Sequence, residues 1–171
     1  MTKAELAREI VKIAKLTGQF KLRSGQTSEF YFDKYRFEAQ PRLLAAIADQ
    51  MKAMIPPGTE VLAGLEMGGI PVATALSLAT GLPVAFIRKK AKDYGTCQFA
   101  EGVDLKGKKV CVIEDVVTTG GQVILSTQDL RSLGAQVEHV LCVIHRGSGQ
   151  EPKLTEIGLK LHPLLTSKDL E

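Results

Sequence analysis

The chain has 171 residues, 44% of them apolar and 24% charged, with a formal net charge of +3. That length and balance suit one globular domain with a substantial core and exclude a disordered or fibrous chain. The charge is too small to argue for a nucleic-acid partner, and no apolar run nears membrane-spanning length, so neither nucleic acid nor membrane is expected as a partner. The three cysteines, Cys97, Cys111 and Cys142, form no metal pattern, and with an N-terminus that lacks an apolar leader they fit a reducing cytoplasm.

Thr2 and Glu5 have the spacing of a capping box. Leu6, Ile10, Ile13 and Ala14 then recur at helical intervals, and Gly18 is read as the stop of this first helix. From Phe20 to Phe32 the pattern alternates, breaks at Ser24-Gly25-Gln26-Thr27-Ser28 and resumes, which reads as a hairpin. It gathers Phe20, Phe30, Tyr31 and Phe32 around Arg23, and aromatics beside a basic residue can stack a planar anionic ring.

Pro41 to Met54 reads as a helix with Pro in its first turn, ended by Pro56-Pro57-Gly58. Glu60 to Gly64 is a strand running into Glu66-Met67-Gly68-Gly69, and Ile70 to Thr80 is a helix stopped by Gly81. Leu82 to Arg88 is the next strand. Four cations, Arg88, Lys89, Lys90 and Lys92, then fall within five positions at the start of a polar loop that runs to Gly102. Such a loop is a candidate lid over an anionic site.

Val110 to Ile113 is a β-branched run suited to a strand buried on both faces of a parallel sheet. Glu114 and Asp115 sit at its C-terminal end, followed by Val116-Val117-Thr118-Thr119-Gly120-Gly121 and a helix from Gln122 to Leu133 in which Val123, Thr127, Leu130 and Leu133 share a face. In open α/β sheets ligands bind beyond the carboxyl ends of the strands. A glycine turn opening a helix offers free N–H groups to a phosphate, and adjacent acids suit sugar hydroxyls or a metal ion. No Gly-Lys-Ser/Thr follows, which excludes a P-loop, and the adjacent glycines exclude the dinucleotide fingerprint. Gln136 to Ile144 is the last clear strand, ending in His145-Arg146-Gly147. An Arg there lies on the ligand side of a parallel sheet, and His145 reads as structural. After Glu151 an edge strand from Ile157 to His162 and a short helix from Leu164 to Leu170 are expected. The repeated strand–turn–helix order argues an α/β fold with a central, mostly parallel sheet flanked by helices.

The run of hydrophobics followed by Glu-Asp-Val-Val-Thr-Thr-Gly-Gly closely resembles the phosphoribosyl pyrophosphate (PRPP) motif of the type I phosphoribosyltransferases. The pattern Phe-x-Leu-x-Ser-Gly-x-x-Ser-x-x-Tyr-x-Asp from Phe20 to Asp33 is similar to the N-terminal hood of the orotate phosphoribosyltransferases. The resemblance runs from Phe20 to Arg146 and implies the type I phosphoribosyltransferase fold, with a hood over roughly residues 1–40 and a core over roughly 41–150 of a single domain, 1–171. It implies that Glu114 and Asp115 hold the ribose, that Thr118, Thr119, Gly120, Gly121 and Gln122 hold the 5-phosphate, and that Val116 and Val117 belong to the same PRPP site. Glu66, Met67, Gly68 and Gly69 would lie against the pyrophosphate; some relatives carry a Lys there and this chain does not. Arg88, Lys89 and Lys92 match the family's catalytic loop, with Lys92 the residue expected to serve catalysis and Tyr94 where many relatives have His. Arg23, Tyr31, Phe32, Thr118 and Arg146 would contact orotate.

The reaction so implied is orotate plus PRPP giving orotidine 5′-monophosphate and pyrophosphate, in pyrimidine biosynthesis. The resemblance also implies Mg²⁺ brought by PRPP rather than a protein metal site, and a homodimer that shares loop 88–102. No second domain for decarboxylating the product is expected. Two other readings remain: a phosphoribosyltransferase for another nucleobase, and a non-catalytic regulator that keeps the PRPP fold. The pair of cations Arg23 and Arg146 weighs against a neutral purine.

Overall fold

Thr2 and Glu5 start the first helix by capping each other. The Glu5 N–H donates to the Thr2 hydroxyl at 3.2 Å, and the Thr2 N–H donates to the Glu5 carboxylate at 2.7 Å. The computed structural model describes residues 1–22, 25–91, 98–147 and 151–171. Helix α1 (Lys3–Ala14) buries Leu6, Ala7, Ile10 and Ala14. Each buried Leu or Ile contributes roughly 1.5–3 kcal/mol.

The helix ends at Ala14, not at Gly18. Lys15 is already extended and opens strand β1 (Lys15–Lys21), which pairs antiparallel with β2 (Thr27–Phe32). The register shifts between Thr17 and Phe20, and a Cβ on Gly18 would press on the Phe20 ring at 3.2 Å. Gly18 therefore serves a strand irregularity rather than a helix stop. The hairpin forms its own two-stranded sheet.

A short helix absent from the sequence reading follows, α2 (Tyr35–Glu38), with Phe37 fully buried. Then comes α3 (Pro41–Met51), with Pro in the first turn, continued by a 3₁₀ turn, Lys52–Met54. The main sheet contains β3 (Val61–Leu65), β4 (Val84–Ile87), β5 (Ala100–Glu101), β6 (Lys109–Val117), β7 (Gln136–His145) and β8 (Lys160–Thr166), in the order β5-β4-β3-β6-β7-β8. Only β5 runs antiparallel to its neighbour. Helices α4 (Gly69–Thr80), α5 (Gly121–Ser132) and α6 (Pro152–Glu156) complete the chain with a final 3₁₀ turn, Ser167–Leu170.

Central strand β6 is buried on both faces, which explains why it reads as a continuous apolar run. Cys111 and Ile113 face a core shared with α1, α3 and α4, while Val110 and Val112 face one shared with α5 and α6. Leu133 is an exception to the face expected of α5. The helix ends one residue earlier, and Leu133 is 47% exposed. Near the C-terminus, β8 lies further along the chain than the expected edge strand, and the expected short helix is the 3₁₀ turn, which Lys3 ties to α1 through Asp169 at 3.2 Å. No helix among the described residues is long and apolar enough to cross a membrane.

Candidate active site

The C-terminal ends of β3, β6 and β7 bring three loops to one edge of the sheet. On β6, Asp115 is completely buried and Glu114 nearly so. Each carboxylate accepts a hydrogen bond from the next backbone N–H: Asp115 N–H donates to Glu114 Oε1 at 2.9 Å, and Val116 N–H donates to Asp115 Oδ1 at 2.6 Å.

The turn after β3 reaches the same acids because its glycines remove side-chain bulk. A Cβ on Gly69 would collide with the Ile113 carbonyl, and one on Gly68 would overlap the Asp115 carboxylate. The Glu66–Met67 peptide is cis. Glu66 accepts a hydrogen bond from the Lys89 N–H at 2.7 Å, which ties this turn to the start of the cationic loop. Arg88 Nε lies 3.2 Å from Glu101 on β5, and the two line a cleft of about 440 Å³ with Glu66, Ile70, Phe86 and Ile87.

Beyond β6, Thr118 and Thr119 are exposed and Gly120 takes φ +78°, a left-handed conformation that favours glycine. Helix α5 starts at Gly121 with no side-chain cap. The first N–H groups of an α-helix lack partners within it, so those that open α5 are available to an anion.

Two residues that the motifs do not name enter from α2. Lys34, just before it, places Nζ 2.6 Å from Asp115 Oδ2, and Glu38 lies buried beside the same carboxylate. Their charges explain one another. Burial alone would raise Asp115, but its contacts with Glu114, Lys34 and Glu38 outweigh it and hold its pKa below the ordinary value. Burial, with the Asp115 anion beside it, pushes Glu38 up to about 9 and moves Glu114 well above the usual carboxylate range. Burial would lower Lys34, yet contact with Asp115 raises it. The cluster thus favours a charged Lys34 beside a charged Asp115, with Glu38 holding its proton at neutral pH.

The hairpin forms the other side. Tyr31 stacks on Phe20 with ring centroids 5.6 Å apart, and the Arg146 guanidinium carbon lies 5.7 Å from the Phe32 ring centroid. The Arg146 N–H donates to the Val117 carbonyl at 2.8 Å, so the residue leaves β7 in register with β6. Tyr31, Phe32 and Arg146 line one cleft of about 470 Å³, whose wall also includes Ser167 and Leu170 from the C-terminal turn. His145 is buried and paired with Glu151 at 2.9 Å.

Among the expected site residues, the fold brings Glu114, Asp115, Gly68 and the α5 start together, and separately joins Tyr31, Phe32 and Arg146. Arg23, Lys92 and Tyr94 lie outside the described residues, as does Cys97. Lys34 and Glu38 gave one weak sequence signal: a cation and an acid four positions apart, directly after the hood pattern.

A phosphoribosyl transferase domain family model matches residues 36–158, which span the acids, both glycine turns and Arg146. An orotate phosphoribosyltransferase of Nocardioides sp. is 51% identical over 98% of this chain and 94% of its own length, and one of Methanocella arvoryzae is 41% identical over 95% of each. Among solved structures, orotate phosphoribosyltransferase of Mycobacterium tuberculosis H37Rv in complex with Fe(III) dicitrate matches with a TM-score of 0.88 at 30% identity, covering 98% of each chain. The same enzyme in complex with PRPP matches with a TM-score of 0.83 at 29% identity. The chain belongs to the phosphoribosyltransferase family, and within it to the orotate phosphoribosyltransferases.

Proposed function

We propose that this chain transfers the phosphoribosyl group of PRPP to orotate, giving orotidine 5′-monophosphate and pyrophosphate in pyrimidine biosynthesis. The observation that carries this reading is the meeting of the acids of β6 with the uncapped start of α5 at one sheet edge, with Arg146 and the hairpin aromatics beside them.

The ribose hydroxyls of PRPP bind Glu114 and Asp115, and its 5-phosphate takes the N–H groups of the turn Thr118–Gln122. The diphosphate lies along Glu66–Gly69, where backbone N–H groups and the Arg88, Lys89 and Lys92 loop meet it. Among the described residues no three acid, His or Cys side chains group to hold a metal. Mg²⁺ would be held mainly by oxygens of PRPP, which are hard donors suited to it. When bound there, Mg²⁺ supplies positive charge to the departing diphosphate.

Orotate stacks against Tyr31 and Phe32 and gives its carboxylate to Arg146 and Arg23. Its ring nitrogen, as the anion formed when its N–H proton passes to solvent, attacks the anomeric carbon while the C–O bond to the diphosphate breaks, and the acids steady the positive charge that builds on the ribose. The chain's share is positioning and electrostatics, without a dedicated base. The whole chain acts as one domain, in the cytoplasm, as a homodimer in which loop 88–102 completes the neighbouring site.

The test is a spectrophotometric assay of orotate loss with PRPP and Mg²⁺, run beside adenine, hypoxanthine and uracil. Consumption of orotate alone, with release of pyrophosphate, is expected. Turnover of another base instead would reassign the pocket.

A further inference from the structure

Glu38 is 7% exposed, and its Oε1 receives no hydrogen bond from any N–H or O–H group among the described residues. Asp115 Oδ2 is in the same condition, with Lys34 Nζ 2.6 Å away as its ion-pair partner. These two oxygens lie together: both crowd the point where a Cβ on Gly68 would stand. A proton held between two buried carboxyl oxygens relieves the repulsion that two neighbouring anions would suffer there. Lys34 balances the single negative charge that remains. If this place served packing alone, an apolar side chain would fill it without holding a proton.

We propose that Glu38 is a positioning residue for phosphoribosyl transfer, one that keeps a proton against Asp115 and so fixes that carboxylate in the orientation that receives the ribose hydroxyls. This rests on the assignment of Asp115 to the ribose. Lys34 complements the arrangement by keeping Asp115 ionised, so Asp115 is left an acceptor for the sugar. The charged groups acting on Glu38 are Asp115 and Glu114 from β6 and Lys34 beside its own helix. What α1 and α3 contribute to the core around neighbouring Phe37 is apolar, including Leu6, Ile10, Leu43 and Ile47. When Glu38 loses its proton, two anions face each other and the Asp115 carboxylate turns away from the sugar.

The test is calorimetric titration with PRPP between about pH 7 and 10, on wild type, Glu38→Gln and Glu38→Leu, with kcat and KM measured alongside. The amide of Glu38→Gln donates to Asp115 as the protonated acid does, and it cannot ionise. Glu38→Leu is expected to weaken PRPP binding about tenfold at neutral pH. Glu38→Gln is expected to keep most of the affinity and to lack the loss that wild type shows as pH passes about 9.

Wild-type affinity in Glu38→Leu, or an alkaline loss in Glu38→Gln equal to that of wild type, would overturn the proposal. Should Glu38→Leu fail to fold, the pH profile of Glu38→Gln decides alone. A wild type that turns over orotate while these variants behave identically refutes only the role of Glu38. A wild type that neither binds PRPP nor consumes orotate refutes the ribose assignment with it.

Discussion

Gly68 lies so close to Asp115 that a methyl group on the glycine would stand inside the carboxylate. The turn after β3 and the acid near the end of β6 therefore form one surface, and a diphosphate and a ribose joined in one substrate can touch both. Gly68 has φ −70° and ψ −27°, which any L-residue adopts. The cost of Gly68→Ala thus falls on Asp115 and Glu38 rather than on the backbone. The variant is expected to fold and to bind PRPP at least about tenfold more weakly. Wild-type affinity in a folded Gly68→Ala protein would separate this turn from the substrate.

Arg146 combines an aromatic neighbour in Phe32 with a place at the end of β7. A planar cation so held suits a carboxylate on a flat ring. Arg146→Ala should raise KM for orotate about ten- to a hundredfold while PRPP affinity stays near wild type. An unchanged KM would move the base pocket away from the hairpin cleft.

Lys92 belongs to the cationic loop that begins at Arg88. In the proposed reaction its charge would act on the departing diphosphate, so Lys92→Ala should lower kcat about a hundredfold or more and change substrate binding little. Single-turnover measurements separate the two effects. An unchanged chemical step would remove Lys92 from the site.

The strongest sequence signals were local. The run from Val110 to Gln122 shows its strand, acids and helix start because each is written in consecutive residues, and the structure places them in that order. The hairpin was legible by alternation, α3 by the proline of its first turn and α4 by the glycine that stops it. Gly18 misled because glycine marks both helix ends and strand irregularities, and only the Phe20 ring decides between them. Helices α2 and α6 and strand β5 are too short to carry a period. Lys34 and Glu38 reach Asp115 across a long stretch of chain, and the cleft wall from Ser167 and Leu170 likewise exists only once β8 docks beside β7. Contacts of that kind follow from topology, and the spacing of Lys34 and Glu38 names no partner on β6.

Glu38 also makes stability depend on pH in a definite direction. The folded chain keeps its proton up to about 9, against an ordinary value of 4.5. Between these limits the unfolded chain has already released a proton that the folded chain still holds. The unfolded state binds fewer protons there, so stability falls as pH rises. Glu114, raised in the same way, adds to that fall. Asp115, held low, acts oppositely: its contribution is present above its unfolded pKa and is lost as pH falls through the folded one. Glu38→Gln removes only the first of these effects. Its melting temperature relative to wild type should therefore climb with pH across the window from 4.5 to about 9 and level off beyond it. One proton sets a ceiling of about 1.4 kcal/mol per pH unit, and each kcal/mol corresponds to about 2–4 °C in a chain of this size. Melts of the two proteins at a series of pH values measure the gap directly, and a gap that stays constant would mean that Glu38 ionises in the folded protein as it does in the unfolded one.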